Sequence, residues 1–158
     1  MGLIGLIGRY DHTIDVHGRL SIPAKFREYL MTHSEGTVIM TTAHVDPCVV
    51  VYPLPEWKSV RERASQIELS GTSGQDFIKR KDFLRLFYSR AVECQMDKHG
   101  RILLPTHLRE YATLDKETVL VGCMNLLEIW NLAKWQEKEA SVLQNEAQLQ
   151  EAMASLGI

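Results

Sequence analysis

The sequence predicts an α+β fold in which one β-rich unit is used twice, on three observations. The stretch Asp15–Tyr29 recurs as Asp97–Tyr111, offset by 82 residues, with eight of fifteen positions identical; average composition gives about one chance match in fifteen. Short apolar runs of strand length alternate with longer segments of helical spacing. The exit from each unit is also echoed, since Val51-Tyr52-x4-Trp57 corresponds to Ile129-Trp130-x4-Trp135. Two copies are too few for a solenoid, which needs three or more shorter units. A unit too small to close its own core predicts that the copies pair with each other about a pseudo-twofold axis.

Each copy opens on a strand whose alternating residues (Tyr10, His12, Ile14; Val92, Cys94, Met96) suit a half-buried face. Asp15 or Asp97 then starts a tight turn, because its carboxylate can accept from amides two residues on. Gly18 and Gly100 supply the positive φ that such a hairpin loop requires. A second strand follows Arg19 or Arg101 and stops at Pro23 or Pro105, where proline suits the first turn of a helix (Ala24 to Leu30; Thr106 to Tyr111). The Asp-x-x-x-Arg spacing sets opposite charges across the turn, close enough to pair. A turn that fixes a guanidinium is suited to gripping phosphate or a base edge.

The remaining elements follow in order. Val38–Met40 and Cys48–Tyr52 read as buried strands around a turn at His44–Pro47. Pro53 and Pro55 open a helix with Trp57, Val60, Ala64 and Ile67 on one face. Leu69–Gly74 is the best internal boundary, giving a first repeat with its exit helix over 1–72 and a second unit over 73–158. Ser73 and Asp76 resemble a capping box for a helix through Phe77, Leu84 and Phe87. After the second corner come strands at Thr118–Val121 and Leu126–Trp130, then a single last helix from about Leu132 to about Met153. Tyr52, Trp57, Trp130 and Trp135 are expected as core anchors, because they recur at matching places.

Composition narrows the function classes. Of 158 residues, 45% are apolar and 24% charged, as in an ordinary soluble domain. The net charge of −2 lacks the basic excess expected of a nucleic-acid binder, so any such binding rests on local patches. Cys48, Cys94 and Cys123 have no metal or redox spacing and are expected to be reduced, buried thiols. The six histidines complete no metal set, no catalytic constellation is marked, and no phosphate-binding loop is present. The chain is therefore read as a non-enzyme without cofactor, metal or small-molecule substrate. No run reaches transmembrane length, and the Gly-Leu-Ile start reads as an entering strand or packing arm, not a targeting segment.

Five segments together resemble the MraZ family, tandem relatives of the AbrB-type swapped-hairpin DNA-binding domains: Asp15–Arg27, Tyr52–Trp57, Arg85–Ser89, Asp97–Tyr111 and Glu128–Trp135. They span about Arg9 to Trp135 in the right order. The resemblance implies duplicated swapped-hairpin β-barrel units with flanking helices. It also implies a cytoplasmic, nucleoid-associated bacterial transcriptional regulator that assembles into ring-like homo-oligomers. Its partner would be double-stranded DNA at short direct repeats upstream of the operon for division and cell-wall synthesis. Two departures stand out: the turn position before glycine, often Lys or Gln in the family, is His17 and His99 here, and the N-terminal run is more apolar than usual.

The expected DNA-binding set is Arg19, Arg101, Lys98, His17, His99 and Lys25, with Asp15, Gly18, Asp97 and Gly100 as structural members of the turns. Lys98 stands equally as a phosphate contact or a solvated charge. Lys25, Arg27 and Arg109 lie on the short helices, where ordinary solvated positions are the first reading and phosphate contact the second. Lys79–Lys81 reads as a solvated helix face or an interface pairing with acidic neighbours. The alternative function is an antitoxin-like protein-interaction module, since swapped-hairpin domains also occur in antitoxins.

Overall fold

The computed structural model describes residues 5–69 and 74–158. Eight strands and six helices alternate along it: β1 Leu6–Thr13, β2 Arg19–Ser21, α1 Ala24–Ser34, β3 Thr37–Thr42, β4 Cys48–Pro53, α2 Leu54–Leu69, α3 Gln75–Ser89, β5 Val92–Gln95, β6 Arg101–Leu103, α4 Thr106–Tyr111, β7 Glu117–Met124, β8 Leu127–Asn131, α5 Leu132–Gln144 and α6 Glu146–Leu156. Six strands form one antiparallel sheet in the order β1-β7-β8-β4-β3-β5, and β2 pairs with β6 in a separate two-stranded ribbon.

This order carries the duplication into three dimensions. Exchanging each strand for its counterpart in the other repeat (β1 with β5, β3 with β7, β4 with β8) reverses the order and leaves it otherwise unchanged. The first strand of each repeat lies beside the other repeat's β-hairpin: β1 on β7, β5 on β3. Strands entering and leaving a corner therefore do not form a hairpin ladder with each other, as the sequence suggested. Only an isolated bridge, Ile14 to Leu20, joins them in the first copy. The edges that a local hairpin would use are taken by the other repeat.

Side-chain alternation sends residues to two faces of the sheet. Val49 and Val51 of β4 and Leu127 and Ile129 of β8 face the main core with Phe26, Leu30, Leu108, Leu20 and Ile102. That core is sealed by α1, α4 and the ribbon. On the opposite face Cys48, Val50, Val119 and Trp130 pack beneath Tyr52, Leu132 and Trp135. Trp130 is buried and meets Trp135 edge-on with centroids 5.5 Å apart, while Trp57 stacks on Phe87 of α3 at the same separation. The four aromatic anchors expected from the sequence do pack, although three are only half-buried.

Several expectations are corrected. The last helix is two, broken at Asn145, whose side chain caps α6 by accepting from the Gln148 amide at 3.4 Å. Asparagine competes with a helical backbone for hydrogen bonds, which favours such a break. Helix α1 runs four residues past Leu30, to Ser34, and stops where Glu35 and Gly36 adopt φ of 52° and 78°. Only Cys48 is a buried thiol; Cys94 is half-buried on the edge strand β5, and Cys123 is exposed near the end of β7. All three are free. Ser73 of the expected capping box lies outside the described residues. No helix among the described residues is long and apolar enough to cross a membrane.

Candidate nucleic-acid interface

The two corners are built alike. The Asp15 Oδ1 atom accepts from the amides of His17 (2.8 Å) and Arg19 (2.9 Å); Asp97 Oδ1 accepts from those of His99 (2.9 Å) and Arg101 (3.0 Å). Backbone bonds close each turn, from Gly18 to the Asp15 carbonyl and from Gly100 to that of Asp97. Gly18 and Gly100 hold φ of 81° and 73°, the region where a side chain is strained. Both carboxyls lie below the ordinary carboxylate range, chiefly because the Arg19 and Arg101 amides donate to the ionised form.

The ribbon locks the corners together. Leu20 faces Ile102 across it and both are fully buried, so Arg19, Ser21, Arg101 and Leu103 point to the opposite face. Two further bonds cross between the repeats, Ile22 amide to Gly100 carbonyl and Leu104 amide to Gly18 carbonyl, each 2.9 Å. The paired arrangement that symmetry suggested is thus reached through main-chain hydrogen bonds.

The two arginines differ. Arg101 Nε donates to Asp97 Oδ2 at 2.9 Å, and its Nη1 lies 3.9 Å from Asp15 Oδ2, so it bridges both corners. Among the described residues the Arg19 guanidinium has no hydrogen-bond partner and forms no ion pair within 4 Å, its charge acting on Asp15 only from farther away. The expected side-chain pairing therefore occurs in the second corner and not in the first. His17, Lys98, His99 and Lys25 are exposed.

Arg27 and Arg109, first read as solvated, instead brace the corners. Each belongs to one repeat and covers the turn glycine of the other. A β-carbon on Gly100 would lie 2.1 Å from Arg27 Cδ, and one on Gly18 would lie 3.3 Å from Arg109 Cζ. Arg27 Nη1 donates to the His99 carbonyl at 3.3 Å, while Arg109 Nε donates to that of Leu104 at 3.1 Å. Their identical placement in the two copies was the available signal. Lys79 and Arg80 are solvated, whereas Lys81 lies over the Phe77 ring at 5.7 Å.

The arrangement offers a grip for anions or base edges more than a reactive centre. Burial and the neighbouring Glu128 and Asp46 carboxylates push the Cys48 thiol up, away from a nucleophilic thiolate. No cluster of three or more metal-ligating side chains occurs among the described residues. A shallow cleft of about 420 Å³ flanks the first corner between Thr13–Val16 and Leu114–Lys116, with Arg109 in its wall.

A tandem-repeat protein that fuses two Asp-x-x-x-Arg corners into one ribbon is the class these features define. A family model described as "MraZ protein, putative antitoxin-like" matches residues 6–77 and 87–156, one match per repeat. A protein of Desulfitobacterium hafniense (strain Y51), named transcriptional regulator MraZ, is 42% identical over 152 residues, covering 96% of this chain and 99% of its own. Proteins of the same name from Caldanaerobacter subterraneus subsp. tengcongensis and Carboxydothermus hydrogenoformans are 41% and 43% identical, covering 86% and 82% of this chain and 87% and 82% of their own. The chain belongs to the MraZ family.

Proposed function

We propose that this chain is a transcriptional regulator that binds double-stranded DNA through its paired corners, with the β2–β6 ribbon and turn tips entering the major groove. The observation that carries the reading is one face bearing Arg19 and Arg101 diagonally across a two-stranded ribbon. A ribbon of two strands fits the major groove. Diagonal neighbours stand about 7–8 Å apart, a span of roughly two base pairs at 3.4 Å each. Arg19 reaches a base edge, while Arg101, already bridging two carboxylates, orders the face and meets phosphate or base at its rim. Lys98, His17, His99 and Lys25 supply contacts around it. Asp15, Asp97, Gly18 and Gly100 shape the turns, and the engaged carboxylates limit repulsion from phosphate.

The exchange of first strands between repeats supports a swapped-hairpin class, and we read residues 72 and 73 as the boundary between repeats. One chain presents few cations, so useful affinity requires several protomers on repeated promoter sites. A ring-like homo-oligomer, a nucleoid location and a division and cell-wall operon as target complete the reading. A second reading, an antitoxin-like interaction module, draws on the family description and on the exposed Val142, Leu143, Met153 and Leu156 of α5 and α6.

Electrophoretic titration of Arg19→Ala, Arg101→Ala and the double variant on duplexes selected by the wild type tests the assignment. Affinity should fall with each and most in the double variant; unchanged affinity in the double variant rejects it. The slope of log K against log salt should become shallower by about 0.9 for each phosphate contact removed.

A further inference from the structure

The corners share one backbone plan, but the side chains on their exposed face are not symmetric. Arg19 stands opposite Leu103 in the ribbon, whereas Arg101 stands opposite Ser21. At the tips, Val16 in the first copy is replaced by Lys98 in the second. One exposed leucine on a protein surface needs no explanation in itself. Leu103, however, is 56% exposed, belongs to neither core cluster and sits across from the one ribbon arginine left without a hydrogen-bond partner. The equivalent position in the other repeat carries a small polar residue, so the fold does not demand an apolar side chain there.

We infer that Leu103 is a specificity residue that contacts the C5-methyl group of a thymine, next to the base pair read by Arg19, and so makes the recognised sequence directional. Arginine matches the O6 and N7 acceptors of guanine, and an apolar side chain matches the thymine methyl. Residues directly opposite in an antiparallel pair have Cβ atoms about 5 Å apart, so the two contacts fall on adjacent or next-adjacent base pairs. The other end of the ribbon offers Ser21 beside a tethered Arg101 and lacks this pair. A pseudo-twofold scaffold with one Arg-Leu end and one Arg-Ser end reads a site that is not its own inverted copy. The inference rests on the DNA-binding reading above and deepens it.

The test uses the full-length protein and duplexes recovered from a randomised library by the wild type. Each thymine in the preferred duplex is replaced in turn by deoxyuridine, which lacks only the methyl group, and affinity is measured for wild type, Leu103→Ser and Ser21→Leu. At one position the wild type should lose about 3–5-fold on uridine, the worth of one buried methyl. Leu103→Ser should bind the thymine and uridine duplexes equally there, with an unchanged urea midpoint, as suits an exposed position. Ser21→Leu should add a second uridine-sensitive position in the inverted orientation. A wild type that binds its selected duplex but ignores every uridine, or a Leu103→Ser variant that keeps the wild-type difference, overturns the inference and leaves DNA binding standing. A wild type that recovers no sequence and binds no duplex overturns the DNA-binding reading as well.

Discussion

Replacing Gly100 with alanine separates the demands of the corner from those of its brace. At φ 73° an alanine pays the left-handed penalty of about 1–2 kcal/mol, partly offset by the smaller entropy of its unfolded chain, about 0.4–1 kcal/mol. That leaves roughly 1 kcal/mol from the backbone. The new β-carbon would also lie 2.1 Å from Arg27 Cδ, in mid side chain, so Arg27 must move away and lose its bond to the His99 carbonyl. A hydrogen bond of that kind contributes about 0.5–1.5 kcal/mol. The total is about 2 kcal/mol, against about 1 kcal/mol for Gly18→Ala. In the first corner Arg109 Cζ stands 3.3 Å from the new carbon, so a shift of a few tenths of an ångström suffices. With a urea m-value of about 2 kcal/mol/M, Gly100→Ala lowers the midpoint by about 1 M and Gly18→Ala by about 0.5 M. Both are read at one protein concentration, since self-association raises apparent stability. Adding Arg27→Ala to Gly100→Ala should cost less than the sum of the single changes, because the strap is already displaced. Equal losses at the two glycines, or strict additivity with Arg27→Ala, would refute the cross-repeat brace.

Other expected outcomes follow from the same geometry. Asp15 and Asp97 have folded-state pKa values below their unfolded ones, so their contribution is present above the ordinary carboxylate range near pH 4 and is lost as pH falls through the depressed values. Asp15→Asn/Asp97→Asn should flatten that acid limb in a pH series of thermal melts, while keeping an oxygen to accept the turn amides. Trp130→Ala should cost about 3–5 kcal/mol in urea unfolding, because the indole is buried on the outer face of the sheet. Alkylation followed by mass spectrometry should label Cys123, an exposed residue, before Cys48; the Cys123 rate should climb steeply with pH above 8, since partial burial of its sulfur and the neighbouring Glu128 carboxylate push the thiol up to about 11.

What could be read beforehand was whatever a local pattern encodes. Asp, Gly and Arg at fixed spacing specify a turn through hydrogen bonds spanning four residues, and that turn forms twice as expected. Apolar runs such as Cys48–Tyr52 and proline-led helix starts were equally local. The strand partners were not, because β1 and β2 carry alternation without naming a neighbour; either a local hairpin or the other repeat would satisfy them. The division of labour between Arg19 and Arg101 was hidden for a similar reason. Both have an aspartate four residues before them, and only the assembled ribbon brings Asp15 Oδ2 to 3.9 Å from Arg101. Arg27 and Arg109 looked like ordinary helix surface until the opposite repeat's glycine was placed beneath them.

Exchange of strands has a consequence for how the face can evolve. The glycine that bends one corner is covered by an arginine from the other repeat, and the ribbon takes one strand from each. Neither repeat can change its backbone there without disturbing its counterpart, so the turn residues are coupled and stay alike: Asp, His, Gly and Arg recur in both copies. Positions pointing away from that contact are released from the coupling. There the copies differ in chemical character, with Val16 against Lys98 and Ser21 against Leu103, whereas the buried differences (Leu20 against Ile102, Ile22 against Leu104, Phe26 against Leu108) each keep an apolar side chain. A frame kept apolar by packing, with exposed positions whose chemistry can differ, is what would let the proposed DNA-binding face distinguish the two directions of a duplex. If substitutions at residues 21 and 103 altered folding as much as those at residues 18 and 100, the face would be part of the frame and that freedom would not exist.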